Sequence, residues 1–395
     1  MNATSGTISP FDISFASRTF VGAGVANFAR DELARLGVRR AGVVTSRSVL
    51  ASEVFKTWLA GFGPDAPVFS AIKPHTPRET VIEAARFFRA HHCDAFVSFG
   101  GGSAIDATKG VALALAGGIE DVRDFDRFKG EWSKTGGSTS FEIKGDVPLH
   151  VSIPTTLSGA SHTFGAGISD VSRGAKFVHR HPALGPRVVL LDPLVTLNTP
   201  DELWTGTGMK ALEHAVEALY STALAPFAEP LRARAFRILA ADLVPSVDRS
   251  QPDVVERRAR VLAGAGMSVL SPCPLGISHA LGHQAGAAWS IAHGHTTGIF
   301  LPVALAFNAP AAGPALRTMA DALGAGSGDP LEAVLGKLEA MIDALALPRR
   351  LRDVGVTDSS RFDEVAGATL RDSIMIGNPR KATEEDARRL LELAF

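Results

Sequence analysis

Cysteine is nearly missing from this 395-residue chain, tyrosine occurs once, neither sign of charge is in surplus, and no long apolar run appears. Each shortage excludes something. Cys93 and Cys273 are too few for a disulfide framework and suit a reducing compartment. A net charge of −1 with no basic block argues against nucleic acid as a partner. Without a stretch of ~18 apolar residues, nothing is expected to span a membrane. The opening MNATSGTISPFDISF has neither the charged start nor the apolar middle of a secretory signal. The expectation is a cytoplasmic enzyme acting on a small molecule. The length allows two or three domains and a large core, and 46% hydrophobic with 21% charged residues is the balance of a globular protein.

What is present is organised around residues 96–110, FVSFGGGSAIDATKG. Ala95-Phe96-Val97 reads as a buried strand. Gly100, Gly101 and Gly102 follow, and Ser103 is placed to cap a helix carrying Asp106 and Lys109. Glycines leave no Cβ between the amides and a ligand, and a helix start offers free N–H groups with a partial positive charge. Strand, glycine turn and helix together read as a phosphate or pyrophosphate cradle, with an ordinary tight turn as the plain alternative. The spacing is neither G-x-G-x-x-G nor a Walker A loop.

Around that stretch strands and helices alternate. Strands are expected at 41–45, 67–71, 149–153 and 187–191, with helices at 49–62 and 80–90, which calls for a mostly parallel sheet covered on both faces. Residues 119–146 are polar and read as a surface excursion, in one form a hairpin. Residues 154–161, PTTLSGAS, form a hydroxyl-rich loop in which Thr155 and Thr156 suit contact with a nucleotide, or simply a Ser/Thr-rich turn. From residue 200 onward helical patterns dominate, at 202–221, 228–241, 252–268, 276–288, 303–308, 314–323, 330–345, 361–369 and 383–393. The expected boundary therefore falls near residue 200, between an α/β domain, 1–199, and an all-helical domain, 200–395, with a cleft between them.

Five histidines stand in the first part of the helical half: His214, His279, His283, His293 and His295. Lys210 and His214 are four apart, as are His279 and His283, so each pair shares a helix face. A single such histidine is more often a core or surface residue than a ligand; five together are harder to dismiss. Three neutral imidazoles can hold a divalent metal with an open position, and the same rings can serve as acid, base or anion clamp without one.

These motifs, in order over nearly the whole chain, resemble the iron-containing (group III) alcohol dehydrogenases, and among them the maleylacetate reductases. Phe99-Gly-Gly-Gly-Ser-Ala-Ile-Asp106-Ala-Thr-Lys109 is similar to the family's pyrophosphate loop, and Ile153-Pro-Thr-Thr156 to its nicotinamide-side loop. Lys176 is similar to its cofactor-side lysine. Gly208-Met-Lys-Ala-Leu-Glu-His-Ala-Val-Glu217 resembles its G-M-D-A-x-x-H-A-x-E element. His279-Ala-Leu-Gly-His283, Ala292-His293-Gly294 and Gly377-Asn378-Pro379-Arg380 complete the set. The resemblance implies the dehydroquinate synthase-like architecture, an α/β nucleotide-binding domain followed by an all-α domain, with NAD(P)H as cofactor and a homodimer or larger homo-oligomer.

Three departures shape the functional expectation. Lys210 stands where metal-dependent members carry an aspartate, while the other ligand positions map to His214, His279 and His293. An ammonium 4 Å from a divalent ion is repelled by about 8 kcal/mol at an effective dielectric near 20, so iron or zinc is possible but disfavoured. The preferred expectation is that Lys210 replaces the metal and polarises a carbonyl, with His283 or His214 as proton relay. His295 favours the reductase branch, whereas His162 stands where the family usually has glutamate. With His279 and His293 these two are expected to touch the substrate, and a cationic pocket suggests a carboxylated oxo compound such as maleylacetate. Finally, Ser46 followed by Arg47 takes the place of the aspartate that binds the adenosine ribose, which admits a 2′-phosphate and hence NADPH. The competing expectations are a metal-dependent alcohol dehydrogenase using His214, His279 and His293, a dehydroquinate-synthase-like lyase, and a non-catalytic nucleotide-binding protein.

Overall fold

The computed structural model describes residues 17–129, 141–271 and 273–395. The first half runs β1 (Arg18–Val21), α1 (Ala29–Arg35), β2 (Ala41–Val44), α2 (Arg47–Leu50), α3 (Glu53–Phe62), β3 (Val68–Phe69), α4 (Arg78–Ala90), β4 (Ala95–Gly100), α5 (Gly102–Gly117), β5 (Leu149–Pro154), β6 (Gly165–Asp170), β7 (Ala175–Arg180) and β8 (Val188–Leu191). The second half is helical: α6 (Pro193–Thr196), α7 (Asp201–Tyr220), α8 (Glu229–Asp242), α9 (Val254–Met267), α10 (Ile277–Trp289), α11 (His293–Asn308), α12 (Gly313–Ala322), α13 (Pro330–Ala344), α14 (Phe362–Arg371) and α15 (Glu384–Leu393). No helix among the described residues is long and apolar enough to cross a membrane.

Six strands form one parallel sheet in the order β1-β8-β5-β4-β2-β3. All six residues of β4 are buried, because helices cover both faces. Alternate residues serve the two sides: Phe96 packs with Val81, Ala85 and Phe88 of α4, whereas Val97 and Phe99 pack with Phe55 and Trp58 of α3. Strand order reverses between β4 and β2, and in open sheets of this kind the ligand crevice lies at the carboxyl ends of the strands at that reversal. The glycine turn closes β4 at that end. Leu157, Val189 and Leu191 belong to the same core as α7, α8 and α12, so the carboxyl end of the sheet is packed directly into the helical half.

The expected architecture is present, with five local differences. The α5 helix begins at Gly102 with Gly101 as its N-cap residue, so Ser103 lies inside the first turn and does not cap it. The expected helix 49–62 is two, because Ser52 receives the Phe55 amide at 3.3 Å and starts α3 anew. The β6–β7 hairpin, turning at the left-handed Gly174, went unread because both strands are only partly apolar. The α11 helix starts at His293, ten residues before the expected start, since its polar first turns obscure the period and Pro302 reads as a break. In the excursion a short 3-10 turn (Val122–Phe128) buries Phe125 and Phe128 where a hairpin was one reading, and the remainder of that segment, 130–140, lies outside the described residues.

One buried cation locks the loop after β5. Lys109 is fully buried, and its Nζ donates to the carbonyls of Ala160 at 2.7 Å and Gly165 at 2.8 Å and to the Thr163 hydroxyl at 3.1 Å. Burial pulls the ammonium down to about 8, against the attraction of Asp106. Three acceptors around one nitrogen nevertheless require all three protons. Replacing it by an isosteric apolar chain, Lys109→Met, strands two carbonyls. Urea unfolding is expected to show a loss of about 2–4 kcal/mol, and an unchanged midpoint would contradict the role assigned to Lys109.

Candidate active site

The glycine turn is shaped by what a side chain would strike. Gly100 has φ +156°, and a Cβ there would meet Ala104 Cβ at 3.0 Å. A Cβ on Gly101 would meet Thr156 Cγ2 at 3.0 Å, and one on Gly102 would meet Ser158 at 3.2 Å. The β5 loop therefore presses onto bare backbone, tied there by the Thr155 amide donating to the Gly100 carbonyl at 3.0 Å. The Thr156 hydroxyl is buried beside this turn with no partner. No acidic side chain stands in the first turn of α5, so its leading amides are uncompensated. Asp106 is engaged elsewhere, accepting from the Gly167 amide at 3.1 Å. Free amides, absent side chains and an orphan hydroxyl suit a dinucleotide pyrophosphate.

Lys176 of β7 lies across Gly167, where an added Cβ would come 2.9 Å from its Nζ. Its charge is felt by His293 across the cleft. Ser46 caps α2 by accepting the Val49 amide at 3.4 Å, while Arg47 is exposed at the carboxyl end of β2.

The opposite wall is made by α7, α10 and α11. A Cβ on Gly294 would stand 2.3 Å from the Gly206 Cα, so the first turn of α11 meets α7 backbone to backbone. That contact seats His293 next to the row begun on the other helices. Ring centroids step 5.3 Å from His214 to His279, 4.7 Å to His283 and 5.5 Å to His293. The expected His214, His279, His283 and His293 are thus brought together with Lys210.

Lys210 is not a free cation. Its Nζ donates to Glu213 Oε2 at 2.5 Å. The same carboxylate accepts from the Ser278 hydroxyl at 2.5 Å and from the Thr297 hydroxyl at 3.3 Å, and His279 Nδ1 lies 3.3 Å from it. Burial alone would push Glu213 up; the Lys210 ammonium overrides it and holds the carboxyl well below the usual range. The imidazoles go the other way. Burial, then the Lys210 charge, pushes His214 down to about 3 and holds His279 and His293 well below the ordinary histidine value. These rings are neutral, and the strongly cationic pocket expected from counting histidines is not what the structure contains.

Neutral imidazoles are what a metal asks for, but the arrangement does not fit one. Among the described residues, the group whose donor atoms lie within 4.8 Å of one another is Glu213, Glu217 and His279, not His214, His279 and His293. Its carboxylates are already engaged. Glu213 holds Lys210, and Glu217 accepts from the Tyr220 hydroxyl at 2.9 Å and from the amides of Gly276, Ser278 and His279, closing the start of α10. An ammonium bonded to one of the three donors repels a second cation there.

Two expected substrate contacts lie away from this cluster. The His162 ring is packed on α9, 2.8 Å from where a Gly266 Cβ would be, and burial followed by the Lys109 charge pushes it down to about 4. His295 points to the rim, its Nε2 3.8 Å from the exposed Glu202. Two residues went unread in the sequence. Glu213 could have been noticed as an opposite charge three positions after Lys210. Asp372, which receives His283 Nδ1 at 2.8 Å, is 89 residues away and gave no local signal. It is held low because the His283 contact, the Ile374 amide and Gln284 outweigh its burial.

Residues 16–193 match the family model of the iron-containing alcohol dehydrogenase, and residues 205–395 match that of the Fe-containing alcohol dehydrogenase family, C-terminal. The chain is 28% identical to a 1,3-propanediol dehydrogenase of Citrobacter freundii, over 98% of this chain and 99% of that protein. It is 32% identical to maleylacetate reductase 2 of Cupriavidus pinatubonensis, over 96% and 94%. The crystal structure of maleylacetate reductase from Agrobacterium tumefaciens superposes with a TM-score of 0.80 at 26% identity, covering 98% of this chain and 99% of that one.

The buried neutral histidines make stability fall in acid. His162 and His179 are both pushed down to about 4 by burial, from 6.5. Below pH 6.5 the unfolded chain takes up protons that the folded chain refuses, so stability is full above that pH and is lost as pH falls toward 4. Urea midpoints measured at pH 7.5, 5.5 and 4.5 should descend in that order; a flat series would refute the neutral assignment.

Proposed function

This chain belongs to the iron-containing alcohol dehydrogenase family, oxidoreductases acting on alcohols and carbonyls, and from that premise we propose that it reduces a carbonyl with a nicotinamide dinucleotide and without a metal ion. Enzymes of the family typically use NAD(H) and iron. The observation that carries the metal-free reading is Lys210, an ammonium fixed by Glu213 at the floor of the histidine row.

The chemistry a bound nicotinamide brings is hydride donation to the carbonyl carbon. The chain's own residues supply the rest. One proton of the Lys210 ammonium is spent on Glu213, leaving two for the carbonyl oxygen, where they stabilise the negative charge that grows as the carbon is reduced. His283 holds Asp372 through Nδ1, which leaves Nε2 to pass the proton that converts alkoxide to alcohol, while the carboxylate steadies the imidazolium form. His214 and His279, both neutral, form a wall that adds no competing charge. The glycine turn, Thr155 and Thr156 seat the dinucleotide, with Lys176 between it and His293.

The substrate class we favour is an oxo acid, as in the maleylacetate reductases among the relatives, with the carboxylate facing the exposed Lys176, which has no ion pair among the described residues. The neutral imidazoles favour a second reading, an uncharged aldehyde, as in the 1,3-propanediol dehydrogenases. NAD(P)H oxidation across a panel of oxo acids and aldehydes separates them. Elemental analysis is expected to find metal far below one atom per chain, and chelation to leave the rate unchanged. Stoichiometric iron or zinc, with activity lost on chelation, would refute the metal-free reading. Lys210→Met should lower kcat by roughly 10²–10³.

Exposed Arg47 beside the Ser46 cap supports use of NADPH, or of both cofactors. Arg47→Ala is expected to raise KM for NADPH about tenfold, the worth of one lost charged contact, and leave NADH unchanged. A wild-type kcat/KM strongly favouring NADH would contradict this.

A further inference from the structure

A lysine side chain has four rotatable bonds and a mobile charged end, a poor device for holding a charge at one point in a cleft unless something pins it. Here the pin is visible. Glu213 is 1% exposed, and its two oxygens gather donors from three helices: Lys210 from its own α7, Ser278 from α10 and Thr297 from α11. The carboxylate is held from two sides by hydroxyls that have no charge of their own, so its negative charge is directed at a single ammonium. Gly282 of α10 also neighbours that ammonium: an added Cβ there would stand 3.9 Å from Nζ, an ordinary contact.

We propose that Glu213 is a positioning residue for carbonyl reduction: it fixes the Lys210 ammonium at the floor of the cleft and supplies the charge that allows a lysine to be buried there. The inference rests on the carbonyl-polarising role given to Lys210 above. It assigns Glu213 no contact with substrate or cofactor. Its effect passes through Lys210, and that dependence can be measured.

The experiment is a double-mutant cycle on the whole chain, followed as NAD(P)H oxidation with the carbonyl that the wild-type chain turns over fastest. Glu213→Gln keeps the shape and the Ser278 bond but turns an amide or a neutral oxygen toward Nζ. It is expected to lower kcat roughly 10- to 100-fold, the range seen when a group that orients a catalytic centre is lost, with KM for the dinucleotide unchanged. Glu213→Asp, which retains the charge one methylene further back, should recover part of that loss, and it serves as the reading if the glutamine variant does not fold. Placed on Lys210→Met, Glu213→Gln should cost less than a further twofold, because the group it positions has gone. Equal losses in both backgrounds would overturn the proposal and make Glu213 merely structural, as would wild-type turnover by Glu213→Gln. Wild-type turnover by Lys210→Met would instead overturn the polarising role on which the proposal stands.

Discussion

A buried ion pair, Lys210 with Glu213, is the constraint around which the histidine-bearing wall is arranged. Such pairs are costly to bury, and they hold only when every remaining lone pair and proton is also placed. Here that condition recruits Ser278 and Thr297, and with them the starts of α10 and α11. The charge of the pair then decides the state of its neighbours. Burial first, and the Lys210 ammonium second, keep His214, His279 and His293 unprotonated. His214, His279 and His293 therefore contribute shape and hydrogen-bonding capacity and add no positive charge to that of Lys210.

The nucleotide side obeys a different economy, in which side chains are removed. The turn after β4 is bare because Thr156 and Ser158 lie against it. The loop that brings them is anchored at one end by the Gly100–Thr155 bond and further along by the Lys109 ammonium. Cradle and catalytic wall are joined by apolar packing, Leu157 and Leu191 sharing a core with α7. The glycine turn and the histidine row are thus held in register by ordinary hydrophobic contact.

Much of this was legible in the sequence because it is local. The glycine turn, the alternation of strands and helices, and the onset of helices near residue 200 all depend on neighbours within a few positions. Lys210 stood out as a departure from a family pattern, and the five histidines of the helical half stood out by number. What stayed hidden depends on distance or on dielectric. Asp372 reaches His283 across 89 residues, and nothing near either announces it. Counting histidines suggested a cationic pocket; burial, which composition does not show, makes His214, His279 and His293 neutral. His162 was grouped with the cluster by residue type, and only its packing on α9 reveals that it serves the Lys109 side. The first turns of α11 were lost because their polar residues face the cleft, so that the feature that makes them useful erased their helical period.

The meeting of Gly206 with Gly294 sets a length scale that no side chain can adjust. Contacts between leucines can breathe, since rotamers exchange and gaps refill. Peptide against peptide has no such slack. The distance from His293 to the α7 residues is in effect a machined dimension, fixed by van der Waals radii alone. Drift in the surrounding core sequence can change how firmly the two helices are clamped, but not how far apart they stand.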